Sequence, residues 1–178
     1  YTWRQSEIDI AETPGSQTFL IQHHQMICER YSQPPNPTNH ANGVVGIGGL
    51  VLAVHDAKKS AFEWQKLFDL DSKVVENDSS GSTYRVRLDL DGCDLDFVSP
   101  LETGTLSSFL EHNGQVPYML SLRVKNLTET IALLKRQRVV MRQENTGTNR
   151  VSVLIDGAYA HGIFLEFVQD THGKYPSV

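Results

Sequence analysis

Three acids and three arginines are the residues of this chain best placed to do chemistry on a bound molecule. They are Asp94, Asp96, Glu166, Arg85, Arg87 and Arg123. Each stands in a short segment where charged and apolar residues alternate, so in a β-strand the charged side chains point away from the apolar face. Burying so many charges is costly unless they pair or bind something. The pattern therefore predicts a polar site shared by these strands.

Arg123 is the residue whose chemistry suggests the most specific role. A planar guanidinium on the floor of a cavity suits bidentate recognition of a carboxylate or phosphate. We interpret it as a ligand anchor, and the further ligand contacts expected on the same face are Ser121, Arg85, Arg87 and Met119. Asp96 or Glu166 could then act as a base beside the ligand, since desolvation raises a carboxyl pKa and a nearby arginine lowers it.

The elements that must position these residues occur twice in the chain. The segment 92–98 aligns with the segment 162–168 at an offset of 70, which places Asp96 and Glu166 at equivalent positions. With the same offset, Leu50, Leu52 and Val54 match Leu120, Leu122 and Val124. Asp56 and Asn126 also match, each as the N-cap of a helical pattern. A constant register over this length predicts a duplicated supersecondary unit.

Each copy reads as a strand, a helix and three strands. The expected elements are the strands 49–54, 73–76, 84–90 and 93–98 with the helix 57–68, and the strands 118–124, 139–144, 150–155 and 163–168 with the helix 127–136. One copy alone leaves a sheet face bare, so we predict an α+β fold in which two βαβββ modules pair into a curled mixed sheet, a β-cup, with helices outside.

The expected organisation has five parts. They are an N-terminal extension and linker over 1–43 with a strand at 18–22, a first module over 44–100, a linker over 101–117 with a helix at 105–112, a second module over 118–170 and a tail over 171–178. Because the chain starts abruptly at Tyr1, we expect 1–43 to be the end of a preceding region. Turn-forming residues predict further turns at 32–43, 77–82 and 146–149.

The layout from 44 to 170 resembles the vicinal-oxygen-chelate superfamily of glyoxalases, bleomycin-resistance proteins, extradiol dioxygenases and methylmalonyl-CoA epimerases. The segments that carry the resemblance are 50–56, 95–100 and 162–167. The linker 109–114 is similar to that of epimerase-like members, and 19–22 with 40–43 resembles a glyoxalase-like subgroup. The resemblance also implies that the protein can form a homodimer.

Metal-using members of that superfamily hold a divalent ion with one residue from the first and one from the last strand of each copy. The resemblance maps these positions onto Gly49, Asp96, Met119 and Glu166. Glycine offers no ligand, and a thioether suits hard cations poorly. Arg123 on the same face would also repel a cation. We therefore expect no cofactor, with a weakly held divalent metal on Asp96 and Glu166 as the alternative.

We expect different roles for two residues near the acid-bearing strands, His161 and Cys93. His161 precedes Gly162 at the mouth of the last strand, and it is either a turn residue or a mouth-side general acid or base. Cys93 falls on the apolar face by alternation, so we expect an inert thiol buried under the helix layer.

The net charge, the apolar runs and the cysteine spacing limit the classes of partner that we expect for the protein. A net charge of −5 over 178 residues provides no basic footprint for nucleic acid, and no apolar run approaches the roughly 20 residues of a membrane helix. Two cysteines without zinc spacing predict a reduced, cytoplasmic protein. Three functions remain: a glyoxalase-like protein that binds a small anionic molecule, a metal-dependent lyase, isomerase or dioxygenase, and a non-catalytic scaffold or dimerisation module whose cup is filled by salt bridges.

Overall fold

The computed structural model describes residues 3–23, 40–75, 82–90, 92–146 and 150–169. The helices are α1 (Ala57–Phe68), α2 (Thr105–Asn113) and α3 (Leu127–Arg136). The strands are β1 (Trp3–Glu7), β2 (Phe19–His23), β3 (Val44–Ala53), β4 (Ser72–Val75), β5 (Thr83–Asp89), β6 (Asp94–Pro100), β7 (Val116–Val124), β8 (Arg142–Thr146), β9 (Arg150–Ile155) and β10 (Phe164–Val168). A short 3₁₀ helix spans Gly157–Tyr159.

Eight strands form one curled sheet in the order β4-β5-β6-β3-β7-β10-β9-β8. Within each module the first strand pairs in parallel with the last, β3 with β6 and β7 with β10. The two modules meet where β3 and β7 run antiparallel at the centre. The duplicated order confirms the predicted α+β fold of two βαβββ modules in a mixed sheet.

The helices of the two modules begin at equivalent capping residues. The Asp56 carboxylate accepts a hydrogen bond from Lys59 N at 2.9 Å, and the Asn126 side chain accepts one from Glu129 N at 3.2 Å. A side-chain acceptor at the N-cap satisfies one of the backbone donors that the first helical turn leaves unpaired. Both predicted caps are confirmed, and each fixes where its helix leaves the sheet.

The outer face of the sheet is apolar, as alternation predicts. In the first module α1 packs on a cluster that includes Leu52, Val54, Val86 and Phe97. In the second module the equivalent cluster consists of Val124, Leu127, Leu134, Val153, Ile155, Ala160 and Phe167. Because this face buries the alternate residues of every central strand, their neighbours in sequence are directed to the opposite, inner face.

The linker helix α2 packs on the inner face rather than on the outer one. Leu106 and Leu110 form a buried cluster with Val51, Ala53 and Val98. Cross-strand pairing puts Val51 beside Asp96, and Ala53 beside Val98, so these partners share the inner face. The helix predicted at 105–112 therefore covers one end of the cup.

Three strand predictions need correction. Strand β3 begins at Val44 and not at Gly49. The extension contains a strand, β1, that was not predicted; it pairs with β2, and its fully exposed sequence of Trp, Arg, Gln, Ser and Glu lacks any apolar alternation. Strand β8 begins at Arg142 and not at 139, because Val139 N still bonds to Leu134 O at 3.0 Å. Arg138, with a φ of 58°, closes this helix end in the left-handed conformation.

The remaining turn predictions lie mostly outside the described residues. This holds for 77–82, for 146–149 and for most of 32–43. The β5–β6 connection is closed by a hydrogen bond from Leu90 N to Cys93 O of 2.9 Å, with Gly92 at a φ of 107°. No helix within the described ranges is long and apolar enough to span a bilayer.

Candidate functional site

The resemblance maps the metal-ligand positions onto Gly49, Asp96, Met119 and Glu166. The strand register brings these four positions together around the centre of the inner face. In the central pair, Gly49 lies opposite Ser121 and Val51 lies opposite Met119. On the outer sides of that pair, Asp96 adjoins Val51 and Glu166 adjoins Ser121. The two acids therefore occupy diagonal corners, as the duplication requires.

In the first module the inner face is occupied by an ion-pair network. Arg87 binds Asp96 in a bidentate manner, with Nε to Oδ1 at 2.7 Å and Nη2 to Oδ2 at 2.8 Å. The remaining Nη1 lies 2.9 Å from Asp94 Oδ2, and Arg85 Nη1 lies 3.5 Å from Asp96 Oδ2. Asp96 is only 3% exposed, so water cannot solvate its carboxylate. The arginines of the network neutralise the charge instead.

In the second module the equivalent acid has a different partner. Glu166 accepts a hydrogen bond from the hydroxyl of Ser121, its cross-strand neighbour. Ser121 is itself buried. The structure thus brings the predicted residues of each module together, but it gives Asp96 arginine partners and Glu166 a serine.

Arg123 lies on β7 opposite Gly46, in the glycine-rich part of the neighbouring strand β3. A Cβ atom at Gly46 would meet Arg123 Nη2 at 2.9 Å, and one at Gly48 would meet Arg123 Cγ at 3.1 Å. Two guanidinium nitrogens, Nε and Nη1, are buried and donate no hydrogen bond to a described residue, although the side chain has other interactions. Because Gly46 and Gly48 have no side chains, there is room for the Arg123 side chain to lie against the sheet.

Cys93 lies closer to these charges than the sequence predicted. It is half-buried, and it precedes β6, so strand alternation does not determine its direction. Burial raises the pKa of the Cys93 thiol; Asp94 raises it further, Arg123 lowers it, and Asp96 adds a small increase. The thiol is therefore electrostatically coupled to the inner-face charges. It is half-buried and not fully buried as expected, whereas its raised pKa agrees with the expected inert thiol.

The donor set on this face does not fit a dedicated divalent-metal site. A side chain at Gly49 would place its Cβ 2.8 Å from the backbone oxygen of Asp94, so no ligand fits there without moving the backbone. Both oxygens of Asp96 are bonded to Arg87. Within the described ranges, no three or more His, Cys, Asp or Glu residues cluster as metal ligands. A hard cation needs six or more oxygens, and the three carboxylates of this face, Asp94, Asp96 and Glu166, are already engaged by Arg87 or Ser121.

An open cleft of about 620 Å³ lies at the end of the cup beside α2. One wall is a single face of α2, with Thr105, Phe109 and Asn113 at intervals of four residues. The other wall is the segment from Asp156 to Phe164, which includes His161. His161 is exposed and has a φ of 57°, so the structure places it at the mouth, while its chemical role stays a prediction.

Tyr118 is a site residue that sequence reasoning missed. Its ring lies 4.9 Å from that of Phe109 and 5.0 Å from that of Phe164, and it links α2 to β10. Burial raises the pKa of Tyr118, Arg142 lowers it, and Asp156, Glu144 and Arg85 contribute smaller effects in that order.

Val51 pairs with Met119 and Leu52 with Pro117, so Tyr118 is the extra residue of a bulge. Pro117 within the strand was the available signal.

Comparisons with known proteins identify the fold. Methylmalonyl-CoA epimerase from Mycobacterium tuberculosis is similar with a TM-score of 0.66 at 19% identity, over 74% of this chain and 92% of that chain. A hypothetical protein from Bacillus halodurans C-125 gives 0.63 at 16% identity, over 73% and 97%. Streptomyces coelicolor methylmalonyl-CoA epimerase in complex with 2-nitronate-propionyl-CoA gives 0.64 at 14% identity, over 75% and 99%.

Comparison with protein-family models and with curated sequences finds no match. At identities of 14 to 19% the structural likeness establishes the fold and leaves activity and ligand open. The chain therefore shares the fold of these epimerases, as the resemblance of segments 50–56, 95–100 and 162–167 to the vicinal-oxygen-chelate superfamily implied.

Proposed function

We propose that this chain, which has the vicinal-oxygen-chelate fold, binds a small carboxylate-bearing molecule in its β-cup without a full metal site. Arg123 is the proposed anchor. Ser121, Met119, Arg85 and Arg87 belong to the same face, and Asp96, Glu166 and His161 are the candidates for any proton transfer.

The position of Arg123 is the observation that carries the proposal. Its side chain runs along Gly46 and Gly48 on β3, and it lies two residues from Ser121 and the Glu166 bonded to it. A guanidinium confined in this way loses little conformational freedom when it binds a planar anion. The fork of N–H donors can then receive both oxygens of a carboxylate.

Proteins of similar fold support an acidic ligand. Two of the three proteins compared above are methylmalonyl-CoA epimerases, and a further structure of such an epimerase was determined in complex with methylmalonyl-CoA and NH₄⁺. Methylmalonyl carries a free carboxylate beside its thioester. We infer the shared feature for this chain, a carboxylate bound in the cup, and leave the coenzyme part to experiment.

Isothermal titration calorimetry with malonate, methylmalonate and methylmalonyl-CoA tests the proposal. Arg123→Met should weaken binding of an accepted acid by at least about tenfold, because a hydrogen bond to a charged group contributes about 1.5–3 kcal/mol. Arg136→Met, at an exposed arginine on the outer helix α3, is the matched control and should bind like the parent. Absence of binding by all three acids, or equal binding by both variants, would refute the proposal.

A non-catalytic scaffold is the second candidate, and the ion-pair network of the first module favours it. Arg87 and Arg85 already satisfy Asp94 and Asp96, as in a cup filled by its own side chains. A scaffold predicts that no acid from a broad carboxylate library stabilises the protein in thermal-shift assays. A metal-dependent lyase, isomerase or dioxygenase is the least supported candidate, since the donor set does not fit.

A further inference from the structure

The cleft beside α2 is separate from the proposed anchor of the cup. Phe164, which lines the cleft, pairs with Met119, whereas Arg123 lies four residues further along β7, opposite Val168. The Arg123 guanidinium lies beside Gly46 on β3. Four residues correspond to about 13 Å along a strand. A small molecule in the cleft therefore meets a different set of side chains from a ligand held by Arg123.

One wall of the cleft is an addition of the second module. The connection between β5 and β6 is residues 90–93, whereas that between β9 and β10 is residues 156–163, twice as many. The longer connection contains the 3₁₀ helix Gly157–Tyr159, which Asp156 caps by accepting a hydrogen bond from Ala158 N at 2.9 Å. The cap therefore holds a carboxylate in the same wall that carries Tyr159.

Asp156 gives the cleft its charge. Of the described residues that line the cleft, Asp156 is the one carboxylate, and none is a lysine or an arginine. A backbone N–H donor leaves the charge of the carboxylate in place. Histidine and tyrosine, the other titratable types in the lining, are ordinarily neutral or nearly so at pH 7.5. The lining therefore attracts a cation and repels a carboxylate.

Aromatic rings supply the large side chains of the cleft. Phe109, Phe164 and Tyr159 line it, and Tyr118 packs against the two phenylalanines at centroid distances of 4.9 and 5.0 Å. Tyr159 is 63% exposed, so much of its ring remains accessible to a ligand. The face of such a ring attracts a cation that lies within about 6 Å of its centroid.

Arg142 shows that a ring of this cleft accepts a cation. Its Cζ atom lies 6.0 Å from the centroid of Phe164. Arg142 is not among the described residues that line the cleft, and its Nε lies 2.8 Å from Glu144 Oε1. Because Glu144 offsets the charge of Arg142, the repulsion of a second cation is reduced.

We propose that the cleft binds a small methylated ammonium ion, with its positive group between Tyr159 and Phe109 and facing Asp156. Methyl groups on nitrogen contact rings directly and need no hydrogen-bond acceptor, which suits a lining of three rings and one carboxylate. A primary ammonium would need acceptors for three N–H donors. This site is independent of the proposed function, which depends on Arg123.

Choline, 3,3-dimethylbutan-1-ol and 3,3-dimethylbutanoate have similar shapes and differ in charge. Titrations at pH 7.5 can follow the amide resonances of Ala158 and Gly162, whose N–H groups are hydrogen-bonded within the wall. Choline should bind about threefold tighter than the neutral alcohol, or more, and the carboxylate should bind most weakly. Ethanolamine, which lacks the methyl groups, should bind more weakly than choline.

Variants separate the contributions of charge and ring. Asp156→Asn keeps the capping acceptor and removes the charge, so it should reduce the preference for choline over the alcohol by about two- to fivefold. Tyr159→Leu should reduce it by a similar factor, whereas Tyr159→Phe keeps the ring and should preserve it. Asp69→Asn, which removes an exposed charge at the end of α1 on the outer face, is the matched control.

Three results would overturn the methylated-ammonium site. They are equal binding of choline and the alcohol, tighter binding of ethanolamine than of choline, and equal losses in Asp156→Asn and Asp69→Asn. Absence of choline-induced shifts at millimolar concentrations would overturn it as well. None of these outcomes bears on a carboxylate at Arg123, which malonate and Arg123→Met test separately.

Discussion

Arg87 holds Asp96 through two parallel hydrogen bonds, Nε to Oδ1 at 2.7 Å and Nη2 to Oδ2 at 2.8 Å. The same guanidinium reaches Asp94 Oδ2 at 2.9 Å, so one arginine serves two carboxylates of the same strand. The equivalent acid of the second module, Glu166, has a serine hydroxyl as its partner instead. The duplicated acids therefore have different electrostatic roles: Asp96 is neutralised in place, and Glu166 lies in the half of the cup that we propose for the ligand.

Arg87→Met should destabilise the protein by about 3–5 kcal/mol, because it leaves a carboxylate that is 3% exposed without its bidentate partner. Urea unfolding followed by circular dichroism measures the loss. The exposed pair Arg142–Glu144, with side chains 61% and 41% exposed, offers the comparison: Arg142→Met should cost less than about 1 kcal/mol. Similar losses at both arginines would mean that the buried network contributes no more than a surface pair.

Gly49→Ala should be more destabilising than Gly46→Ala. At Gly49 the new Cβ would meet backbone, Asp94 O at 2.8 Å, whereas at Gly46 it would meet the flexible end of Arg123 at 2.9 Å. Overpacking against backbone costs about 1–3 kcal/mol, while a side-chain end can move aside. Thermal unfolding of both variants checks the order, with Gly104→Ala, whose Cβ would have no neighbour within 4 Å, as the control. The reverse order would show that the strands separate more easily at Gly49 than their contact implies.

Cys93 should report on the charge of Arg123. Arg123 lowers the pKa of this thiol against the raising effects of burial and of Asp94, so Arg123→Met should raise the thiol pKa further. In a Cys28→Ser background, the rate of alkylation by iodoacetamide between pH 7 and 10 should shift to higher pH in the variant. A carboxylate bound at Arg123 should shift the parent in the same direction. An unchanged profile would place Arg123 too far from the thiol to act on it.

Tyr118 should make the protein less stable at alkaline pH. Burial raises its folded-state pKa above the ordinary value of 10.0. The unfolded chain then ionises first, so the stability present below pH 10 is lost as the pH rises through the folded-state pKa. Urea unfolding from pH 8 to 11 should show a steeper decline for the parent than for Tyr118→Phe. Parallel declines would mean that the phenol ionises alike in both states.

Much of the fold was available in the sequence because it depends on periodic, local patterns. The offset of 70 that joins Asp96 to Glu166 predicted the duplicated module, and alternation placed Arg85 and Arg87 on the inner face. The strand β1 and the start of β8 were not predicted, since an exposed polar strand and a helix end that continues to Val139 leave no periodic signal.

Side-chain direction along a strand follows from its period of two, so the residue order alone predicts that acids and arginines of two modules face one cup. The partner of each acid depends on cross-strand register between distant segments, through which Arg87 meets Asp96 and Ser121 meets Glu166. The contact of Gly49 with the Asp94 backbone and the cleft between α2 and the segment 156–163 likewise appear only once the sheet has formed. These are contacts between remote parts of the chain, which depend on how the sheet curls and not on any local pattern.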